Sequence, residues 1–438
     1  MNTQNAASPE LTRRDFLKTT STLAAAATLA PGVFAAGNDT LKVAVVGCGG
    51  RGSGAADQAL STDGPVKLVA MADAFRNRLD DSYNVLKEKH AERVDVPEEN
   101  KFAGFDAYQH AIALADVVIL ATPPGFRPMH FEAAVRQGKH IFMEKPVAVD
   151  APGVRKVLAA AEEARQKNLK VAVGLQRHHQ QGYIETVQRL HDGAIGPIVA
   201  MRCYWNGDSP WVKRRKDLDQ QAGRALTEME YQMRNWYYFL WLCGDHIVEQ
   251  HVHNLDVINW IKQGHPVRAW GMGGREVRKG LDYGEIFDHH CVEFEYADGS
   301  RLTSQCRQIH GCWDSVSEHV QGAKGYCDVG GFKIQGAAPW HSATGPGNPY
   351  QREHDDFFAA IRNDTPCNEA AAYGATSTMT GILGRMATYS GKEVEWSDAI
   401  NSQIDTMPKV LGWDSDPPTK PDANGHYPAP VPGVTKAV

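Results

Sequence analysis

The sequence predicts an α/β protein in two parts: a doubly wound parallel sheet covered by helices, then an α/β part with an open, largely antiparallel sheet. Three observations predict it. Short apolar runs alternate with amphipathic stretches from Leu41 to about Arg177. A glycine-rich turn, VVGCGGRG, joins the first run to the first amphipathic stretch. After Arg177 the rhythm changes to longer alternating strands.

Ahead of the first strand the chain carries an address. Arg13 and Arg14 are followed by Asp15-Phe16-Leu17-Lys18, an apolar run from Leu23 to Ala30 and small residues around Val33, Phe34 and Ala35. That order is a twin-arginine signal with cleavage near Ala35 or Ala36, which sets residues 1–36 apart from the fold. The run is too short to span a bilayer, which takes about 20 residues, and no later segment qualifies. The mature chain is therefore expected to be soluble, with no membrane partner, exported by the twin-arginine translocation machinery to the periplasm or another extracytoplasmic space. This route carries folded proteins. The eight cysteines, which form no CxxC or zinc spacing, are accordingly expected as reduced, buried thiols.

The first part, residues 37–176, reads as five strands, LKVAVV, PVKLVAMAD, ADVVILAT, KHIFMEK and LKVAVGL, with helices near 51–61, 75–90, 127–137 and 152–167. The second, 177–400, contains GPIVAMRCYWN, PVRAWGMGGREV, HHCVEFEYADGS and SRLTSQCRQI, with a hairpin turn at Asp298-Gly299. Residues 401–438 are proline-rich and polar, and are expected as an arm or a disordered tail. About 400 mature residues suit two domains, and 42% hydrophobic residues suffice for a core in each. A net charge of -6 shows no basic excess, so nucleic acid is not an expected partner. Five tryptophans (Trp205, Trp211, Trp236, Trp241, Trp260) share one stretch; their rings suit sugar faces, although core packing is expected for most.

Gly47, Gly49 and Gly52 stand in GxGxxG register between strand and helix, with Gly50 and Arg51 inside the turn. The first glycine permits the tight turn, the second lets backbone approach a pyrophosphate and the third lets helix and strand pack closely. Asp73, at the end of the second strand, is placed to accept from both ribose hydroxyls and to repel a 2′-phosphate. This is a Rossmann dinucleotide site that favours NAD; Arg76 leaves NADP open.

Residues 121–150, ATPPGFRPMHFEAAVRQGKHIFMEKPVAVD, hold a strand ending in Thr-Pro-Pro, a histidine opening a helix, Gly138-Lys139-His140 and Glu144-Lys145-Pro146. Together with NPYQREHDDFFAAIRNDTP and GILGRMATYSGKEVEW this resembles the Gfo/Idh/MocA oxidoreductases, among them glucose-fructose oxidoreductase and inositol dehydrogenase, over nearly the whole mature chain. The resemblance implies cofactor contacts from Thr122, Pro123, His130, Glu144 and Lys145, and a homodimer or homotetramer paired through the open sheet.

Oxidising a secondary alcohol needs a base for the hydroxyl proton and a positive group for the developing alkoxide. Lys145, at the carboxyl edge of the fourth strand, suits the second task; Pro146 is expected to fix the turn beside it, a cis bond being one way. In GDHIVEQHVHNLDVINWIKQG, a helix buries Val248, Val252, Leu255 and Ile258 and puts Glu249, His253, Asp256 and Trp260 on an adjacent face. His253 is then the base and Glu249, one turn earlier, its orienter. The family usually has aspartate four residues before this histidine and glycine two before. Glu249 and His251 depart from that pattern, and His246 is a rival base. Arg177 and His178 resemble pocket-lining substrate residues; Trp211, Arg234 and Asn235 are further candidates. Glu249, His251, His253, His289 and His290 offer metal-ligand atoms, but residues two apart on a helix point about 200° apart, so no metal is expected unless the segment is extended.

The activity these features imply is hydride transfer at a secondary alcohol of a sugar, glycoside or cyclitol, within carbohydrate metabolism, by a tightly bound and internally recycled cofactor. Two alternatives are an NAD-dependent glycosidase that oxidises, eliminates and re-reduces, and a non-catalytic NAD-holding saccharide-binding protein.

Overall fold

Six parallel strands lie in the order β3-β2-β1-β4-β5-β6: β1 (Leu41–Val46), β2 (Val66–Asp73), β3 (Lys101–Ala103), β4 (Val117–Leu120), β5 (His140–Met143) and β6 (Val171–Val173). The structure, a computed structural model, describes residues 40–345, 347–367, 369–436 and 438; the signal segment lies outside the described residues. Helices α1 (Gly50–Leu60), α2 (Arg76–Lys89), α3 (Ala107–Ala113), α4 (Arg127–Arg136) and α5 (Ala151–Gln166) form the crossovers. Strand β4, VVIL, is buried at every position, as a strand with both faces covered must be. Strand β3 and helix α3 were not legible in the sequence: three and seven residues are too few for a period to show. The order reverses between β1 and β4, which opens a crevice at their carboxyl ends.

Helix α6 (Gln181–His191) leads into β7 (Ile198–Gly207), and α7 (Arg215–Ala222), α8 (Glu228–Arg234), α9 (Leu240–Cys243), α10 (His246–Glu249) and α11 (Val252–Lys262) follow. The remaining strands are β8 (Pro266–Gly274), β9 (His289–Tyr296), β10 (Arg301–Gln308), β11 (Ser315–Gly322), β12 (Gly325–Asp328), β13 (Lys333–Gly336), β14 (Trp340–His341) and β15 (Val394–Glu395). Their order is β14-β13-β12-β11-β7-β10-β9-β8-β15, antiparallel except for the β7–β10 pair. Gly299, at φ 79°, turns the β9–β10 hairpin as expected from Asp298-Gly299. Strands β9 and β10 alternate buried and half-buried residues, so one face of this sheet meets the core.

Helices α12 (Pro349–Asn363), α13 (Glu369–Ser390) and α14 (Trp396–Asn401) complete the fold. Helix α13 is buried at every position from Ser377 to Ser390 because β6, β8, β9, α5 and α11 all pack against it. A Cβ at Gly384 would lie 2.8 Å from the Phe294 ring, so the approach requires glycine. Residues 402–438 contain no helix or strand among those described, yet they are seated as an arm. Thr406 donates to Asp150 Oδ2 through its amide (2.9 Å) and hydroxyl (2.8 Å), Gln232 donates to the Thr419 carbonyl (2.7 Å), and the Tyr427 ring meets Phe239 at 5.0 Å. All eight cysteines are free; five are buried, but Cys291 and Cys367 are only partly so and Cys312 is exposed, which corrects the expectation of uniformly buried thiols.

Candidate active site

The glycine turn is dictated by contact distances. Gly47 has φ 98°, and a Cβ there would sit 2.5 Å from the Thr122 amide nitrogen; a Cβ at Gly52 would sit 1.8 Å from the Gly47 carbonyl oxygen. Gly52 thus lets α1 press on β1, while Gly49 and Gly50 line the crevice, with nothing within 4 Å of a Cβ at Gly50. Beside the turn, Asp73 accepts from the Cys48 amide (2.7 Å) and the Phe75 amide (2.9 Å), one bond to each oxygen. A carboxylate oxygen can accept more than one hydrogen bond, and Asp73 lines the crevice. Burial pushes the Asp73 carboxyl up, against the pull of those amides and of Arg78.

The opposite wall is the loop after β4. Buried Arg127 donates to the Leu120 carbonyl and to the Thr122 carbonyl (2.7 Å), which fixes Thr122 and Pro123 at the rim. His130 lies against Tyr108 at 4.2 Å, with Nδ1 3.3 Å from Thr122 Oγ1 and Nε2 without a hydrogen-bond partner among the described residues. Burial holds its pKa down at about 3, so the ring is neutral. The cleft between these walls has a volume of about 720 Å³, within the range of cofactor sites. A glycine turn no side chain could fill, the amino end of α1, the Asp73 carboxylate and the orphaned His130 nitrogen together fit a dinucleotide.

The cleft continues to Lys145, which follows β5; the Lys145–Pro146 bond is cis. Lys145 Nζ donates to the Glu249 carbonyl at 2.6 Å and to Glu249 Oε1 at 3.1 Å. His253, 6% exposed, lines the same cleft with its ring stacked 5.8 Å from Trp205, and its Nδ1 has no hydrogen-bond partner among the described residues. Burial first, then the charges of Lys145, Arg177 and Arg51, hold its pKa well below the usual imidazole range. The expected single helix is broken: α10 ends at Glu249, α11 begins at Val252, and Gln250-His251 make a turn between them. The stripe of Val248, Val252, Leu255 and Ile258 is buried as expected, but Glu249 engages Lys145 and no hydrogen bond joins it to His253 among the described residues. Its role as orienter of His253 is corrected accordingly.

Glu144 is salt-bridged to Arg51 at 2.5 Å, and both line the cleft with Tyr350, over which Arg51 stacks at 5.0 Å. Arg177 and His178 do not line it. Arg177 pairs with buried Glu318; His178 bonds to Asp256 at 2.8 Å between the rings of Trp260 (4.2 Å) and Tyr373 (4.4 Å). The rival base His246 is also outside the lining, beside Asp245 and His290. Arg76 is spent on Asp80 and Glu98, whereas Arg78 lines the cleft near Asp73; counting to the second arginine after Asp73 would have found it. Trp205, Trp211 and Trp236 line the cleft, Trp241 is core, and Asn235 is buried between Lys213 N (2.9 Å) and the Asp282 carbonyl (2.8 Å). Arg234 stacks on Phe75 at 4.1 Å. The metal-ligand set considered from sequence is not assembled: His251 bonds to Ser304 at 2.7 Å, and His289, 43% exposed at its side chain, to Asp288.

Residues 41–174 match the model of an oxidoreductase family with an NAD-binding Rossmann fold, Gfo/Idh/MocA, and residues 10–30 match the twin-arginine translocation signal. An uncharacterized oxidoreductase of Streptococcus pneumoniae is 22% identical over 61% of this chain, and an inositol 2-dehydrogenase of Ralstonia nicotianae is 27% identical over 60%. The matched stretch spans 66% of the length of each of these curated relatives. Among solved structures, an aldose-aldose oxidoreductase from Caulobacter crescentus has a TM-score of 0.64 at 18% identity, covering 82% of this chain and 100% of that one. A scyllo-inositol dehydrogenase from Lactobacillus casei, with bound NAD(H) and scyllo-inositol, has 0.61 at 20% identity with the same coverage. Fold and cleft thus define a protein with an NAD-binding Rossmann sheet, preceded by a twin-arginine signal. Over residues 41–174 the chain is similar to the NAD-binding part of the Gfo/Idh/MocA oxidoreductases.

Proposed function

We propose that the protein interconverts a secondary alcohol and its carbonyl on a cyclitol or sugar, using NAD held tightly and restored to its starting state in each cycle. The observation that carries this reading is the convergence of Lys145, Glu249 and His253 in the cleft that also holds Gly47, Gly49 and Asp73. When bound, the nicotinamide supplies the acceptor or donor of hydride. His253, neutral and desolvated, receives the hydroxyl proton on a ring nitrogen. An ammonium has three N–H donors, and Glu249 occupies two of those on Lys145; the third is left for the substrate oxygen, whose growing negative charge it stabilises. The rings of Trp205, Trp211 and Trp236 offer apolar faces to a cyclic polyol.

The names of the inositol and aldose relatives support the substrate class. Asp73 supports NAD over NADP, although Arg78 is the residue that would accept a 2′-phosphate. Residues 37–176 serve the cofactor and 177–400 the substrate in this reading. The second part also pairs with a copy of itself, a role that suits the exposed Val199, Met272 and Val316 on its sheet. The twin-arginine signal supports work outside the cytoplasm.

The test is to incubate mature protein with myo-inositol, scyllo-inositol and aldoses, alone and with NAD, and to follow nicotinamide absorbance and products. A polyol-dependent change in the nicotinamide supports the reading. Silence across the panel, with NAD demonstrably bound, would overturn it.

A further inference from the structure

Next to the catalytic turn lies a cluster the proposed reaction does not use. Asp245, His246 and His290 are 0%, 1% and 2% exposed, and one ligand atom of each lies within 4.8 Å of the others. Asp245 caps the short helix α10, which His246 opens and Glu249 ends; His290 comes from β9.

His290 Nδ1 lies 2.9 Å from the Thr388 hydroxyl, and its Nε2 faces Asp245 Oδ1 at 3.3 Å. His246 Nε2 stands 3.8 Å from the same oxygen, and neither nitrogen of His246 has a hydrogen-bond partner among the described residues. Pairing of His290 with Asp245 alone leaves His246 buried with both nitrogens unmet. One cation between the three atoms answers all of these contacts.

We propose that Asp245, His246 and His290 bind a divalent transition-metal ion of the zinc type. Ligand atoms 3.3 and 3.8 Å apart suit bonds of about 2.0–2.2 Å, and two imidazoles with one carboxylate suit zinc and its first-row neighbours. The supports that orient metal ligands are in place. Asp245 Oδ2 accepts from the Phe287 amide (3.0 Å) and the Tyr389 hydroxyl (2.5 Å), and the Thr388 hydroxyl bonds to His290 Nδ1. Buried Arg278, a nearby cation, spends its guanidinium on the Phe287 carbonyl and Gln308. The ion ties α10, whose last residue holds Lys145, to β9 and so steadies the catalytic turn from behind. Its role is structural, since no ligand reaches the cleft.

The experiment uses tag-free mature protein purified from medium supplemented with zinc. Elemental analysis should find about one ion per chain, a strong chelator should lower the melting temperature, and cobalt(II) added to the stripped protein should restore it with visible ligand-field absorption. His290→Gln should lose the ion; if that variant does not fold, the cobalt spectrum of the wild type decides. The proposal is overturned if purified protein carries less than about a tenth of an equivalent and neither zinc nor cobalt changes its melting temperature or spectrum. Two ring N–H signals on His290 in the nitrogen NMR spectrum would then identify an imidazolium paired with Asp245.

Discussion

Lys145 Nζ donates to Glu249 twice, to its backbone carbonyl at 2.6 Å and to its carboxylate at 3.1 Å. The ammonium is thereby fixed in position before any substrate arrives, and the lysine from the parallel sheet is joined to the helix pair that carries His253. Glu249 thus meets Lys145 through its main chain and its carboxylate at once.

Replacing Lys145 by Ala should lower turnover by about 10²- to 10⁴-fold with NAD still bound, because it removes charge stabilisation in the transition state and leaves the glycine turn intact. His253→Asn should act likewise. Glu249→Gln keeps the carbonyl contact and should cost only about tenfold, in kcat more than in KM. If Lys145→Ala and His253→Asn both stay within about threefold of wild type on the true substrate, the roles assigned here are wrong.

The parallel sheet was legible because its strands are apolar runs bounded by glycine and proline, and the motif from Gly47 to Gly52 fixes the turn by steric exclusion that any reader can reconstruct. Lys145 and His253 line one cleft; both were picked out by the resemblance of their motifs to a family, since the single helix on which their phase was reckoned is broken. What could not be read was pairing between distant segments. Nothing local in the sequence says that Arg177 is neutralised by Glu318, or that His178 is stacked between Trp260 and Tyr373. The break at Gln250-His251 was equally hidden, since the apolar stripe runs through it unbroken, and so the bond from Glu249 to Lys145 was missed. The Asp245–His290 contact joins residues 45 apart on different elements, beyond the reach of any spacing rule.

Asp73→Ala should weaken NAD more than NADP, because a carboxylate that accepts from ribose and repels phosphate is lost. Arg78→Ala should do the opposite and weaken NADP alone. Titrating cofactor-stripped variants with both nucleotides checks this. An unchanged ratio for Asp73→Ala would remove that residue from the ribose.

Stability should fall as the pH drops below neutrality. His130 and His354 are buried with pKa values held down to about 3, and His140 to about 4, in each case chiefly by burial. The folded protein refuses protons that the unfolded chain binds below about pH 6.5, so stability is fully present above that value and is lost as pH falls toward 4. Each histidine contributes about 2 kcal/mol of loss between pH 7 and pH 5. Urea unfolding at the two pH values, at constant ionic strength, should show the midpoint falling; equal midpoints would mean these rings take up protons without unfolding.

The cofactor should leave the cell already bound and stay bound. At micromolar Kd and a typical on-rate near 10⁶ M⁻¹s⁻¹ a nucleotide departs in about a second, and outside the cytoplasm that loss is permanent. Retention for about a day requires an off-rate near 10⁻⁵ s⁻¹, hence a Kd near 10⁻¹¹ M, roughly 15 kcal/mol. The carboxy-terminal arm is placed to contribute: Trp413 packs on Phe105 at 4.5 Å and on Phe75 at 5.1 Å, and both phenylalanines line the cleft beside Asp73. Trp413→Ala should therefore release nicotinamide at least about tenfold faster, through loss of packing that holds the cleft wall in place. Dialysed wild-type protein should retain nicotinamide absorbance and convert polyol for many turnovers without added nucleotide, one alcohol being oxidised as another carbonyl is reduced. Wild-type protein that emerges from dialysis empty and works only with excess NAD would refute retention, and a Trp413→Ala off-rate equal to wild type would free the arm of any part in it.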